Sequence, residues 1–114
     1  MSHAMFVSIF RVEQRDGDAV VERLTPLIWL ARRESGCLFF DLYRLVEQET
    51  TFAIHQVWDG HDARRRHLEG LLGIQIHNLM LDVALEPVQT FEIEEVFVTH
   101  LYTRSKPQSA GQRF

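Results

Sequence analysis

Residues 34–44 have the sequence ESGCLFFDLYR. Gly36 is a residue typical of helix ends, and the apolar run after it, Cys37 to Val46, is typical of a strand. A sheet with one face in water alternates apolar and polar residues, but this strand does not. Apolar residues fall on both of its faces: Leu38, Phe40 and Leu42 on one, and Cys37, Phe39 and Tyr43 on the other. The stretch therefore predicts a helix-to-strand turn that leads into a strand covered on both sides.

The flanking sequence predicts the remaining elements. Residues 20–31 have apolar residues at helical spacing, with Pro26 inside the pattern, so we expect a kink or a break there. A second helical stretch begins near His61 and is interrupted by Gly70 and Gly73 before an apolar segment, residues 74–85, that predicts a buried helix or turns. The predicted strands are residues 5–12, 37–46, 51–58 and 88–98, with a polar turn at 47–50. The order βαββαβ predicts an α+β, ferredoxin-like fold with a four-stranded antiparallel sheet.

The other strands also have apolar residues on both faces. In the third strand, Phe52, Ile54 and Trp58 oppose Ala53, His55 and Val57. The helices can cover only one face of a four-stranded sheet, and the other face would be too apolar for a stable monomer. We therefore predict a homodimer in which two sheets pack face to face.

Composition limits the classes of function. With 114 residues and a net charge of −4, the chain suits one domain and argues against nucleic acid or an anionic membrane as a partner. The basic run Arg64-Arg65-Arg66 is predicted to be a solvated helix face. The single cysteine, Cys37, favours a reducing, cytoplasmic location, where it would be a buried small apolar residue or a reactive thiol. We expect an N-terminal extension or cloning remnant at 1–4, the domain at 5–102, and a flexible tail at 103–114.

Residues 34–44 closely resemble the helix-end-to-strand signature of the antibiotic biosynthesis monooxygenase superfamily. The strand that ends at Trp58-Asp59, and the helix with Ala63 and His67-Leu68, stand at the expected distances, and the resemblance covers about residues 5–98. It implies a dimeric α+β barrel with a buried pocket in each subunit. It also implies oxidation of a quinol or polycyclic phenol with O2, without metal, flavin or haem.

Several positions depart from the family pattern. Gln56 stands where many members have Glu, and Leu72-Gly73 where a His-Phe pair is usual. His77 matches a residue of the haem-degrading relatives, but Ile9-Phe10-Arg11 and His67 do not match theirs. Two alternatives therefore stay open. One is a non-catalytic dimeric domain that binds a small ligand, and the other is a haem-binding or haem-degrading relative.

His67 is the candidate catalytic base, because helical spacing aligns it with Ala63 and Leu71 and histidine exchanges protons near neutral pH. The alternative is a core histidine. His77 shares a predicted face with Ile74 and Leu81, which favours a buried core residue there too. If Trp58 faces the helices, His55 faces the dimer partner. The histidine spacing does not fit a zinc site. The candidate substrate-binding residues are Trp58, Phe40, Gln56, Trp29, Tyr43 and His77.

Overall fold

A computed structural model of the chain describes residues 3–96. The strands are β1 (Ala4–Arg11), β2 (Cys37–Leu45), β3 (Gln48–Trp58) and β4 (Gln89–Ile93), and the helices are α1 (Gly17–Ala31), α2 (His61–Glu69) and α3 (Leu71–Val83). A short 3₁₀ turn, Gln14–Asp16, leads into α1. The strands form one antiparallel sheet in the order β2-β3-β1-β4. The predicted ferredoxin-like α+β fold is confirmed.

Strand boundaries differ from the predicted ones at three places. β1 begins at Ala4, which is fully buried and pairs with Trp58. β3 begins at Gln48, so most of the predicted polar turn belongs to the strand. The reason is a register shift after Arg44, which pairs Leu45 with Gln48 and leaves a turn of only two residues. β4 ends at Ile93; residues 97–98 of the predicted last strand, His100 and the predicted tail lie outside the described residues.

Helix α1 continues through Pro26, so the predicted break does not occur. Proline cannot donate a hydrogen bond to the carbonyl four residues earlier, which belongs to Glu22. Both residues are exposed, so water can satisfy that carbonyl. The Thr25 hydroxyl also donates to the Val21 carbonyl across 2.6 Å. Solvent on this side of the helix reduces the cost of the hydrogen bond that the proline cannot form.

Gly70 separates α2 from α3, as predicted, while Gly73 lies within α3. The Gly70 N–H donates to the His67 carbonyl at 3.1 Å, and the Gly70 carbonyl accepts from Ile74 N–H at 3.0 Å. A Cβ atom at Gly73 would lie only 1.9 Å from the His67 carbonyl oxygen. Gly73 therefore allows α3 to pack directly against the end of α2.

The three helices cover one face of the sheet. The core lies between them, and its large buried members come from both layers: Phe10, Phe40, Phe52, Ile54 and Trp58 from the strands, and Leu24, Ile28, Ile76, Leu79 and Met80 from the helices. One row across this face matters for the site, because register places Phe40, Gln56, Phe6 and Glu92 side by side on β2, β3, β1 and β4.

The opposite face of the sheet is apolar and uncovered in the single chain. Phe39 is 58% exposed, Tyr43 52% and Phe91 49%, and all three lie on this face. Asp41 and His55 pair across neighbouring strands on the same side, so His55 points away from the helices. Apolar residues on both faces are thus confirmed, and the homodimer that they indicate stays a prediction.

Candidate active site

Gly36 brings the start of α2 onto the loop that follows α1. Its φ of +85° lies in the left-handed region, and a Cβ there would lie 2.6 Å from the Ala63 Cβ. The Asp59 N–H also donates to the Gly36 carbonyl at 2.7 Å. One helical turn after Ala63 comes His67, which this approach places beside Glu34, just before Gly36.

His67 and Glu34 form a buried pair. The His67 Nδ1 lies 2.6 Å from the Glu34 Oε1, and the side chains are 2% and 29% exposed, respectively. An ionised carboxylate only accepts hydrogen bonds, so Nδ1 carries the hydrogen. This bond orients the ring and leaves Nε2 as the nitrogen that can take up a proton.

Two aromatic rings pack against the His67 imidazole. The Trp58 ring centroid lies 4.8 Å away with a tilt of 33°, and that of Phe40 lies 5.4 Å away in an edge arrangement. The Trp58 Nε1–H donates to the Gln56 Oε1 across 2.8 Å, and both residues are buried. Gln56 thus satisfies the indole donor with a neutral acceptor at the position where many family members have Glu.

The structure brings four predicted site residues together on the helix-covered face: His67, Trp58, Phe40 and Gln56. Trp29 lies apart from them, 64% exposed on the outer side of α1, and Tyr43 lies on the open face of the sheet. His77 is exposed, so its interpretation as a buried core residue is wrong. The reason is the rotation of α3, which buries Ile76 and Leu79 and turns Ile74 and Leu81 outward.

Glu34 is the member of the site that the sequence pattern does not predict. It appears there only as the last polar residue before a helix-ending glycine. Its partner lies 33 residues away along the chain, on another helix. The one available signal is the close spacing of Glu34 to Gly36, since a glycine in this conformation allows a second element to approach.

Two further residues of α2, Arg64 and His61, lie close to Phe6 and Glu92. Arg64 is not part of a solvated face as predicted, because its guanidinium carbon lies 3.6 Å from the centre of the Phe6 ring. Burial lowers the pKa of Arg64, an effect that the charge of Glu92 partly opposes. The His61 Nε2 lies 2.7 Å from the Glu92 Oε2 in an exposed pair. Arg65 and Arg66 are exposed, as expected.

Cys37 borders the site and is held as a thiol. Burial raises its pKa to about 11, and the negative charge of Glu34 contributes to the increase. A thiol with such a pKa is a poor nucleophile at neutral pH, which argues against the reactive-thiol alternative.

Two surface grooves lie away from His67. One, of about 480 Å³, runs between α1 and α3 past Leu27 and Leu79. The other, of about 450 Å³, lies at the end of β1 near Phe10 and Thr51. Within residues 3–96, no group of three or more His, Cys, Asp or Glu side chains is placed to hold a metal ion. None of the helices in that range is long and apolar enough to cross a membrane.

A sequence model of the family described as antibiotic biosynthesis monooxygenase matches residues 5–72, more than half of the chain. No curated protein matches the chain. Among solved structures, a conserved protein from Methanosarcina mazei Go1 superposes with a TM-score of 0.78 at 14% identity, over 84% of this chain and 95% of its own. Rv0793 from Mycobacterium tuberculosis gives 0.76 at 16% identity, over 86% and 99%. A structure described as an antibiotic biosynthesis monooxygenase gives 0.75 at 16% identity, over 82% and 98%. At these identities the superpositions establish the fold alone.

Proposed function

The chain belongs to the antibiotic biosynthesis monooxygenase family, and from that premise we propose that it oxidises a quinol or polycyclic phenol with O2 at His67, without metal, flavin or haem. The observation that carries the proposal is the buried His67 imidazole, which is bonded to Glu34 and packs against two aromatic rings. A base in an apolar enclosure suits the deprotonation of a flat, electron-rich substrate.

The reaction needs little from the protein beyond a base and a dry site. Loss of a hydroxyl proton makes the substrate electron-rich enough to pass an electron to O2, and the two radicals then combine. One oxygen atom stays on the ring, which becomes a quinone as a ring C–H is converted to C=O. The other oxygen leaves as water with two hydrogens from the substrate, which is itself the reductant.

In this scheme, His67 Nε2 accepts the hydroxyl proton. The Glu34 carboxylate, bonded to Nδ1 across 2.6 Å, holds the ring and stabilises the imidazolium that forms. Trp58 and Phe40 form apolar walls beside the imidazole, and Gln56 fixes the indole through its hydrogen bond.

The proposal includes a homodimer formed through the open sheet face. Phe39, Tyr43 and Phe91 are exposed on that face, and a second copy would bury the same residues by two-fold symmetry. Because Cys37 is the single cysteine and no intramolecular disulfide can form, we also propose a cytoplasmic location.

The test is O2 consumption by chelator-treated protein with a panel of quinols, anthrones and naphthoquinols, followed by product analysis under ¹⁸O₂. We expect consumption above the uncatalysed rate and one labelled oxygen in the quinone. Consumption without label would mean oxidation without oxygen insertion. No consumption across the panel would contradict the proposal.

A second function is a non-catalytic domain that binds a small apolar ligand. The observation in its favour is the enclosure of His67, which is 4% exposed and packed between rings as core histidines often are. It predicts ligand binding without turnover, with affinity unchanged in His67→Ala.

A further inference from the structure

Arg64 is the one arginine within residues 3–96 that is not exposed. Five arginines in the described part of the chain have a carboxylate partner at the surface: Arg11, Arg23, Arg32, Arg44 and Arg65. Arg64 is half-buried, and its guanidinium forms no ion pair or hydrogen bond with any residue from 3 to 96. Its Nε is the one buried side-chain nitrogen or oxygen atom in that range without a hydrogen-bond partner.

A buried guanidinium nitrogen without a hydrogen-bond partner is costly. Buried polar groups almost always have partners, and a missing partner for a charged donor costs more than one for a neutral donor. The lowered pKa of Arg64 has the same origin, since burial penalises its charge. The nearby carboxylate of Glu92 is hydrogen-bonded to His61 instead. The contact with the Phe6 ring supplies attraction but no hydrogen-bond acceptor.

The position of Arg64 connects it to the His67 site. The two residues are three apart on α2, so their side chains leave neighbouring turns on one side of the helix. Phe6, beneath Arg64, pairs in register with Gln56, and Gln56 is bonded to Trp58 beside His67. Both side chains therefore lie over the same cross-strand row of the sheet.

We propose that Arg64 binds a carboxylate of the substrate, which is thus a hydroxylated aromatic acid. The Nε–H of the planar guanidinium has no hydrogen-bond partner, and a guanidinium can bind a carboxylate through two parallel hydrogen bonds. A carboxylate on Arg64 would hold the aromatic ring beside His67 and leave the hydroxyl to reach Nε2. The assignment rests on the proposed function and names the substrate class of that site.

The experiment compares two probes of the same shape, 2-naphthoate and 2-naphthamide, by isothermal titration calorimetry. Wild-type protein is expected to bind the carboxylate about ten- to a hundredfold more tightly than the amide, as a charged hydrogen-bonded pair allows. Arg64→Met keeps the apolar stem over Phe6 and should bring the ratio of the two Kd values close to one. Arg64→Lys keeps the charge but lacks the two parallel N–H donors of the guanidinium, so it should give an intermediate ratio of the two Kd values.

Arg65→Met is the matched control, since it removes the same charge from the neighbouring, exposed residue. It should keep the wild-type Kd ratio, and circular dichroism identifies any variant that fails to fold. A ratio near one in wild type, a preference that persists in Arg64→Met, or no binding of either probe would overturn the proposal. The Kd ratio needs no turnover, so it can hold even if no O2 is consumed.

Discussion

Two histidines of helix α2 are each paired with a glutamate from another element, and the two pairs differ mainly in burial. His67–Glu34 and His61–Glu92 have nearly the same length, 2.6 and 2.7 Å. The side chains of the first pair are 2% and 29% exposed, whereas those of the second are 61% and 54% exposed. The same two residue types are therefore paired once in a largely buried and once in an exposed environment.

The difference shows what burial adds to a common contact. An exposed pair is screened by water and salt and contributes little. A buried pair is coupled to packing, because either partner left alone would have an unsatisfied polar group. The imidazole of the buried pair also packs against two aromatic rings, Trp58 and Phe40, whereas that of the exposed pair has one, Phe6.

The largest expected effect comes from Gly36→Ala, because an alanine side chain there would prevent the close contact with α2 that brings His67 to Glu34. A non-glycine residue at φ +85° costs about 1–2 kcal/mol and overpacking against Ala63 about 1–3 kcal/mol more. We expect the free energy of unfolding, measured with urea, to fall by about 2–5 kcal/mol. Gly60→Ala is the control, because Gly60 has an extended φ and open space around its Cβ position. Equal losses for both variants would contradict this account of Gly36.

Removal of each carboxylate compares the two pairs directly. Glu34→Ala leaves the buried His67 Nδ1 donor without its partner, so we expect the free energy of unfolding to fall by about 1–3 kcal/mol. Glu92→Ala should cost about 0–1 kcal/mol, because its pair is exposed. Repeating both measurements in 1 M NaCl should remove most of the Glu92 effect and little of the Glu34 effect. Similar costs at both sites would mean that burial does not distinguish the pairs.

The smallest expected effect uses Cys37 as a reporter of the Glu34 charge. With a pKa raised to about 11, the thiolate fraction at pH 8 is small and rises about tenfold per pH unit, so alkylation by iodoacetamide should be slow and rise with pH. Glu34→Gln removes a negative charge that raises this pKa, so the pKa should fall and the reaction at pH 8 should accelerate by a few-fold. The larger contribution, burial, remains in that variant.

Glu92→Gln serves as the control for this experiment, since the charge of Glu92 is not among the causes of the Cys37 shift. It should leave the alkylation rate unchanged. A slower reaction in Glu34→Gln would show that the carboxylate does not act on the thiol as described.

Local patterns were enough to predict most of the fold. The apolar runs in β2 and β3 identify the strands, and their two-residue period identifies two apolar faces. The spacing from Ala63 places His67 on the inward side of its helix. These features depend on how side chains alternate along a strand, every two residues, or turn around a helix, every 3.6 residues. Both patterns can be read from the sequence of a single element.

Tertiary packing determines what the local patterns miss. Residues 71–83 are apolar on most sides, so their period does not distinguish an inward His77 from an outward one, and the contacts of Ile76 and Leu79 decide the rotation of α3. Arg64 has the charge of a solvated residue, but the Phe6 ring lies beneath it. Glu34 meets His67 only because Gly36 permits the close approach of α2, a long-range contact that no local period encodes.

The most direct test of the central claim, that the buried pair is the reactive one, is the O2 consumption rate of His67→Ala beside His61→Ala with the best substrate of the panel. A positioned base contributes roughly 10²–10⁴ in rate, so we expect His67→Ala to lose about a hundredfold or more. His61→Ala should stay within about twofold of wild type, since its exposed pair contributes little. Equal rates for the two variants would contradict the claim and remove His67 from the mechanism.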